Sequence, residues 1–372
     1  MSDLLEFHAA SIPGTEQALC DELRELAFAS VRLNRGGIPF RGTREDGWRA
    51  CLQSRIAQRI QLVLTRFPAP GETALYKGAQ TVDWSRWITP RHTLSVSAVC
   101  VGSRITHSGF VALKVKDAIV DSLRDSDGKR PSVDKDDPDI HVFVYHANNK
   151  TTLYLDLCGT PLHKRGYRLK AGEAPLRETL ASALLRMSGW DRRMPLIDPM
   201  CGSGTIAIEA AQWAVNKAPG LDRGRFGFER WVDFTDRDEA QLKALCGEMR
   251  GAITDSPPKI QAADVDQAMM DAAKTNARAA GVSLAFRCRS VLDLQAGDTP
   301  AVVVTNPPYG VRIQNDMATV QRIAAKFEQF RGWRVCILDE GKTYERLIRV
   351  PPTEVHPIKN GDLDCRFLVY DM

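Results

Sequence analysis

Apolar residues recur alternately at strand and at helix spacing along the amino-terminal part of the chain. A short stretch with strand character covers residues 5–9, and helical spacing covers residues 14–29 and 47–57, with an extended stretch at 31–40 between them. Strands and helices in this alternating order predict a small α/β unit of ferredoxin-like type over residues 1–65.

A second unit follows with the same kind of alternation. Strand patterns cover residues 94–101, 140–145 and 152–157, and a helical pattern covers residues 109–123. The pattern predicts an α+β unit over residues 66–160, with a sheet that one helix covers.

The carboxyl-terminal part, residues 161–372, alternates apolar strands with helices. The predicted strands are residues 195–198, 259–266, 283–290, 301–305 and 335–338, and an Asn360-Gly361 turn joins a hairpin over 354–370. This order predicts a Rossmann-like, doubly wound parallel sheet that ends in an antiparallel hairpin. Residues 213–258 interrupt the alternation, and we interpret them as an insertion over the substrate mouth because long excursions from a regular sheet are usually functional.

Composition is that of an ordinary globular protein, with 44% hydrophobic and 26% charged residues among 372. No apolar run approaches the roughly 20 residues of a membrane-spanning helix, and the acidic start lacks the basic residues of a secretion signal. A cytoplasmic location without membrane attachment is therefore expected. The nine cysteines contain no Cys-x-x-Cys pair, which indicates reduced thiols and no metal site.

The strongest chemical signal is the sequence Asn306, Pro307, Pro308 and Tyr309, directly after the apolar strand 301–305. The two prolines end the strand and hold the Asn306 side chain and the Pro307 carbonyl stiffly at its carboxyl end. Two such oxygens can accept the hydrogens of an exocyclic amine, whose lone pair is otherwise delocalised into the nucleobase. The ring of Tyr309 can stack on a base pulled out of its helix. The pattern predicts a methyltransferase target-amine site without a titratable base; a plain strand-ending turn is the alternative.

A glycine loop lies upstream, between a predicted strand and a predicted helix. Gly202 and Gly204 permit a tight turn and a close approach of a ligand to the backbone, and Thr205 begins the helix. The spacing also satisfies the dinucleotide fingerprint, so a nicotinamide or flavin enzyme stays open. Asp198, ahead of the glycines, favours a ligand with a positively charged amino-acid moiety, because a carboxylate repels a pyrophosphate.

Three further acids lie near predicted strand ends. Asp264 is placed to hold both hydroxyls of a ribose, and Asp266 is the second choice, with helix capping as its alternative role. Asp293 follows the third strand and is the candidate for an adenine amine, with an exposed turn acid as the alternative.

A basic stretch surrounds an aromatic residue just before the carboxyl-terminal part. Lys164, Arg165, Arg168 and Lys170 lie close to Tyr167, a combination suited to phosphate contact and base stacking. With a net charge of only +4, placement of charge must count for more than its total. A solvated linker explains the composition equally well.

Several stretches in order along the chain carry a resemblance to one family. They are residues 163–168, 173–181, 198–205, 218–220, 226–231 and 305–310. Together they resemble the class I S-adenosylmethionine-dependent methyltransferases, and more narrowly the THUMP-containing guanine-N2 RNA methyltransferases. The resemblance implies a THUMP RNA-binding domain at 66–160, a methyltransferase domain at 161–372, and S-adenosyl-L-methionine as cofactor.

The resemblance also implies roles for individual residues. Catalytic roles fall on Asn306, Pro307, Pro308 and Tyr309, and RNA contacts on Lys164, Arg165, Tyr167, Arg168 and Tyr309. Cofactor contacts fall on Asp198, Met200, Cys201, Gly202, Ser203, Gly204, Thr205, Asp264, Val265, Ser290, Val291, Asp293 and Asn306. Ser290 stands where the family usually has an adenine-contacting Asp, so direct replacement by Asp293 stays open.

The expected reaction is methylation of a guanine N2 amine in structured RNA, with 23S ribosomal RNA preferred and transfer RNA as the alternative. The Asn306 motif cannot itself distinguish guanine N2 from adenine N6, so adenine methylation stays open. A non-catalytic RNA-binding protein and a dinucleotide-dependent oxidoreductase are the alternatives from other classes. The sequence does not show which proteins, if any, are partners.

Overall fold

The computed structural model describes residues 4–124, 128–170, 175–255, 257–297, 299–308 and 317–372. Two seven-stranded sheets organise these residues, one in each half of the chain. Each sheet packs with its helices into a hydrophobic core.

The amino-terminal sheet has the strand order β2-β1-β3-β7-β6-β4-β5. Its strands are β1 (Leu5–Ala10), β2 (Gly37–Gly42), β3 (Arg59–Pro68), β4 (Thr93–Val101), β5 (Ser132–Val133), β6 (Ile140–Ala147) and β7 (Lys150–Asp156). Its helices are α1 (Glu16–Glu25), α2 (Arg44–Gln53), α3 (Glu72–Ala79) and α4 (Ser108–Ser122).

Alternation along the strands explains how this sheet is covered. Ile140, Val142 and Val144 of β6 are buried in one core with Val111 and Val115 of α4, because every second side chain of a strand faces the same side. The predicted helix 109–123 and the strand 94–101 therefore correspond closely to α4 and β4.

This half contains three elements that the sequence patterns do not predict, namely β3, α3 and β5. The predicted boundary between residues 65 and 66 also falls inside β3. Since β3 pairs with β1 on one side and β7 on the other, the two predicted units share one continuous sheet. The division into domains stays a prediction, but the sheet does not stop at its boundary.

The carboxyl-terminal sheet has the order β10-β9-β8-β11-β12-β14-β13. Its strands are β8 (Leu196–Asp198), β9 (Ile260–Asp264), β10 (Ala285–Cys288), β11 (Val302–Thr305), β12 (Arg334–Glu340), β13 (Glu354–Asn360) and β14 (Leu363–Asp371). The helices of this half of the chain are α5 (Glu178–Met187), α6 (Thr205–Ala214), α7 (Asp236–Gly251), α8 (Gln267–Ala280), α9 (Met317–Phe327) and α10 (Thr343–Leu347). Of these, α7 packs through Leu242, Leu245 and Met249 into the amino-terminal core.

Strands β8 to β12 pair in parallel, and β14 pairs antiparallel with β12 and β13. The predicted parallel sheet with a terminal hairpin is thus present. The hairpin loop is Gly361 and Asp362 rather than Asn360-Gly361, because Asn360 pairs with Leu363 and only Gly361 of the two has a positive φ.

The long segment between α6 and β9 does not have the predicted position over a substrate mouth. Its apolar residues belong to the amino-terminal core: Phe228 stacks on Trp48 at 5.6 Å, and Trp231 meets Trp87 edge to face at 5.0 Å. Ion pairs add to the contact, as Asp233 bonds Arg44 at 2.9 Å. The segment therefore fastens the two halves together, which its aromatic content alone did not distinguish from a lid.

Within the described ranges, no helix has both the length and the apolar character that crossing a bilayer requires.

Candidate active site

Three parallel neighbours in the carboxyl-terminal sheet end in the residues that carry the predicted chemistry. Strand β9 ends at Asp264, β8 ends at Asp198, and β11 ends at Thr305, directly before Asn306. From β8 the chain continues to β9 and β10 on one side, and then crosses to β11 on the other side of β8. The strand order therefore reverses at β8. This reversal is the place where doubly wound sheets bind ligands, outside the carboxyl ends of the strands.

The glycine loop after β8 has the conformation that its two glycines allow. Gly202 and Gly204 have φ values of +51° and +87°, in the left-handed region that other residues avoid. A Cβ on Gly204 would lie 3.0 Å from the Cβ of Ala273 on α8. The loop therefore packs closely against α8 because residue 204 has no side chain. A Cβ on Gly202 would meet no described atom within 4 Å, which leaves open space beside the loop.

Asp198 is buried beneath this loop. Its Oδ1 accepts a hydrogen bond from Thr305 Oγ1 at 3.0 Å and one from the Met200 amide at 3.4 Å. The pKa of Asp198 is raised to about 7, mainly by burial and to a smaller extent by the nearby Asp264 carboxylate, while the two hydrogen bonds act in the opposite direction. The carboxyl group is thus poised to gain charge when a cation binds beside it.

Asp264 and Asp266 have different roles. The Asp264 carboxylate accepts the Gly202 amide at 2.8 Å and the Asp266 amide at 3.0 Å, which ties the end of β9 to the glycine loop. Two of roughly four acceptor positions on that carboxylate are used in this way. Asp266 caps α8, because its Oδ1 accepts the Ala268 amide at 2.7 Å, as its alternative prediction stated.

The candidates for an adenine lie next to this strand end. The Arg289 amide donates to the Asp264 carbonyl at 3.0 Å, so Ser290 follows immediately beside Asp264. Ser290 Oγ accepts the Leu292 amide at 3.2 Å and begins a short 3-10 helix over Val291–Asp293. Val291 is buried and Asp293 is exposed.

Asn306 carries an unusual polar atom. Its Oδ1 is buried without a hydrogen-bond partner among the described residues. A buried acceptor without a donor costs free energy, so such atoms often mark a place where a ligand supplies the donor. Pro307 is buried and Pro308 is exposed, while the predicted stacking residue Tyr309 lies outside the described residues, as do Gly310, Glu173 and Ala174 of the matched stretches.

The basic stretch is arranged differently from its prediction. Tyr167 is 5% exposed and its hydroxyl donates to Glu209 Oε1 at 3.0 Å, so the prediction that it stacks on RNA is wrong. Arg165 is equally buried, where it donates to the Leu162 carbonyl at 2.7 Å, and cannot contact RNA. Arg168 pairs with Glu178 at 2.8 Å. The amino-acid composition of the basic stretch does not show whether its side chains have buried partners or form a solvated basic surface.

Lys164 is exposed and keeps its predicted role as a candidate RNA contact. Sequence reasoning missed Glu209, Glu178 and Asn276, which are buried polar residues around the glycine loop. The signal was present in the helical pattern, since Glu209 and Asn276 both interrupt apolar helix faces.

Three family descriptions match successive parts of the chain. They are "RMKL-like, methyltransferase domain" over residues 165–368, "THUMP domain" over 71–156 and "RlmL ferredoxin-like domain" over 6–61. Their order is the one predicted from the sequence.

Curated relatives are named ribosomal RNA large subunit methyltransferase K/L. One from Shewanella woodyi is 37% identical over 380 residues, covering 99% of this chain and 53% of the relative. One from Methylococcus capsulatus is 38% identical over 378 residues, covering 99% of this chain and 51% of the relative. The chain thus spans about half the length of these relatives.

Solved structures agree with this assignment over the whole chain. A possible methylase from Clostridium difficile has a TM-score of 0.89 at 29% identity, covering 99% of this chain and 98% of that one. SMU.472, solved in complex with SAH, has a TM-score of 0.87 at 25% identity, covering 100% of this chain and 98% of that one. The predicted fold class and family resemblance are confirmed, and the chain belongs to the RMKL-like methyltransferase family.

Proposed function

We propose that the chain transfers a methyl group from S-adenosyl-L-methionine to the N2 amine of a guanine in structured RNA. The observation that carries the proposal is the buried Oδ1 of Asn306, which has no hydrogen-bond partner within the described part of the chain and lies one residue after the Thr305–Asp198 hydrogen bond. A nucleobase amine supplies the donor that this oxygen lacks. Large-subunit ribosomal RNA is the preferred substrate and transfer RNA the alternative.

The residues of the carboxyl edge fit the cofactor. The open space beside Gly202 admits a ligand close to the backbone, and the Asp198 carboxyl lies below it to attract an amino group. Asp264 has acceptor positions left for ribose hydroxyls, and Ser290, Val291 and Asp293 follow where an adenine would lie. When bound, S-adenosyl-L-methionine supplies a methyl group made electrophilic by its sulfonium.

The chain's own residues prepare the amine for reaction. The Asn306 Oδ1 and the Pro307 carbonyl accept its two hydrogens and favour localisation of the nitrogen lone pair. The prolines hold both oxygens in place before the substrate arrives, so little conformational entropy is lost in the reaction. The proposed reaction requires no side chain among the described residues to act as a general base, because the nitrogen loses a proton readily after methylation.

RNA as the substrate rests on the amino-terminal half. The match to the THUMP domain and the names of the curated relatives support a structured ribosomal RNA. Exposed Lys164 is a candidate phosphate contact at the entrance to the catalytic half. A ribosomal substrate places the reaction in the cytoplasm.

Adenine N6 is the second candidate target. The acceptors of Asn306 and Pro307 suit any exocyclic amine, and a solved structure from Listeria monocytogenes, 28% identical with a TM-score of 0.87, is titled a predicted N6-adenine-specific DNA methylase. The proposed guanine target therefore needs a direct product analysis.

The first experiment is incubation of the chain with methyl-labelled S-adenosyl-L-methionine and separate ribosomal and transfer RNA pools from a cell that lacks it. We expect label in large-subunit ribosomal RNA. Asn306→Ala should abolish most of the label while S-adenosylhomocysteine still binds, and Gln321→Ala, an exposed amide on α9, should label normally. Label that is unchanged in Asn306→Ala would refute the assigned role.

A further inference from the structure

The buried amide of Asn276 joins the glycine loop to the segment between the two sheets. We define residues 165–170 as the linker. Asn276 of α8 is 1% exposed, and its Nδ2 donates to the Ser203 carbonyl at 3.0 Å and to the Lys170 carbonyl at 2.8 Å. Its Oδ1 accepts the amides of Leu169 at 3.0 Å and Lys170 at 3.1 Å. One side chain therefore connects the loop to the last residues of the linker.

The hydrogen-bonding capacity of this side chain is fully used. A side-chain amide offers two N–H donors and two acceptor positions, and each of the four meets a complementary backbone group here. The orientation of the amide is fixed, because the reverse one would place N–H groups against N–H groups. Loss of the side chain would leave the Ser203 carbonyl without the partner of a buried hydrogen bond, at an energetic cost, and would remove the partly buried contacts to Leu169 and Lys170.

A second contact between α8 and the glycine loop lies one turn earlier. Ala273 sits three residues before Asn276 on the same face of the helix, and a Cβ on Gly204 would lie 3.0 Å from the Ala273 Cβ. Backbone at Gly204 thus rests directly on α8, while Asn276 holds the preceding carbonyl. Together they determine where the loop backbone lies.

The linker also contacts the carboxyl-terminal end of the glycine loop. Arg168 donates to Thr205 Oγ1 at 3.1 Å, at the first residue of α6. Residues on both sides of Gly204 are therefore connected to the linker, through Asn276 before it and through Arg168 after it. A displacement of the linker is therefore expected to reach the loop through these hydrogen bonds, of which the one from Asn276 to the Ser203 carbonyl is buried and the others are partly buried.

We propose that Asn276 is a positioning residue that holds the glycine loop in its cofactor-binding conformation and makes that conformation depend on the linker. This inference rests on the proposed function, since it takes S-adenosyl-L-methionine as the ligand of the loop. The four hydrogen bonds of the Asn276 side chain all go to backbone groups, so it acts through Ser203 and the adjacent glycines.

Three variants separate this role from a general loss of stability. Asn276→Ala removes all four hydrogen bonds. Asn276→Asp keeps the two acceptor contacts but places a carboxylate oxygen against the carbonyls of Ser203 and Lys170; protonation of that carboxyl restores one donor. Thr275→Ala is the matched control on the same helix, since its hydroxyl bonds only the Asp271 carbonyl one turn earlier.

The dissociation constant for S-adenosylhomocysteine, measured by calorimetry at about pH 6 and about pH 8.5, is the main readout. We expect about tenfold weaker binding in Asn276→Ala at both pH values, and wild-type binding in Thr275→Ala. Relative to the unchanged chain, Asn276→Asp should bind weakly at the higher pH and recover in part at the lower one. Wild-type affinity in Asn276→Ala, or equal loss at both pH values in Asn276→Asp, would overturn the proposal.

Hydrogen exchange of the ligand-free chain provides a readout that does not depend on the cofactor. Peptides covering residues 196–206 should exchange faster in Asn276→Ala than in Thr275→Ala, and unchanged exchange would also overturn the proposal. If the unchanged chain binds no S-adenosylhomocysteine while exchange responds as expected, the proposed function fails and the structural connection through Asn276 stands.

Discussion

Thr305 Oγ1 donates a hydrogen bond to Asp198 Oδ1 over 3.0 Å and joins the carboxyl ends of β11 and β8. Both residues are buried. Asp198 begins the glycine loop and Thr305 precedes Asn306, so this bond connects the proposed cofactor side of the site to the proposed target-amine side. It also favours the charged form of Asp198, whose pKa burial raises to about 7.

Cofactor affinity should therefore depend on pH near neutrality. In the unchanged chain, binding of S-adenosylhomocysteine should strengthen as pH rises through about 7, because only ionised Asp198 attracts its amino group. Thr305→Val keeps the shape and removes the donor, so the midpoint of this dependence should move to higher pH. Calorimetry across the pH range measures the midpoint, and an identical midpoint in both proteins would contradict the assignment.

Asp198→Asn should weaken cofactor binding without lowering the stability of the fold. The raised pKa means that the folded chain keeps a proton that the unfolded chain loses at about pH 4, so the free energy of unfolding falls as pH rises from there through about 7. An amide cannot ionise and still accepts the bonds from Thr305 and Met200. We expect equal or higher thermal stability at pH 8 and at least about tenfold weaker binding of S-adenosylhomocysteine. Lower stability together with unchanged binding would refute this reading.

Asp264 and Asp266 offer a matched comparison, two residues apart. Asp264→Ala removes the acceptor for the Gly202 amide and the proposed ribose contacts, so cofactor affinity should fall about a hundredfold. Asp266→Ala removes a helix cap, which should cost about 1 kcal/mol of stability and leave affinity nearly unchanged. Equilibrium binding and thermal melts of both variants provide the check, and the reverse pattern would exchange their roles.

Much of this site could be predicted from the sequence because short-range rules govern it. Prolines after a buried strand fixed the position of Asn306, and glycines fixed the loop that carries positive φ at Gly202 and Gly204. Parallel pairing then brings strand ends to one edge, which is why Asp198, Asp264 and Thr305 meet although they are distant in the chain.

The errors concern residues whose environment is decided by distant partners. Tyr167 and Arg165 are of the residue types that often contact nucleic acids. In the structure, Glu209 of α6 supplies a buried acceptor for the Tyr167 hydroxyl. Trp231 lies in the segment that the sequence predicted to cover the substrate mouth. It packs instead on Trp87 of the amino-terminal half. Local pattern contains no information on such partners, so only the tertiary structure separates the two readings.

The position of the insertion leads to a stability prediction. Trp231 is 5% exposed in the amino-terminal core, so Trp231→Ala should lower the free energy of unfolding by about 3 to 5 kcal/mol. Val232→Ala, at the adjacent half-exposed position, should change it by less than about 0.5 kcal/mol. Urea titrations followed by circular dichroism compare the two variants, and a small effect of Trp231→Ala would restore the interpretation as an insertion over the substrate mouth.

The identity of the methylated nucleoside tests the central claim most directly. RNA labelled by the chain would be digested to nucleosides, and the product separated and identified by mass spectrometry against standards. The account predicts N2-methylguanosine from large-subunit ribosomal RNA, with most of it lost when Asn306→Ala replaces the unchanged chain. N6-methyladenosine as the product, or N2-methylguanosine at an undiminished level with Asn306→Ala, would contradict it.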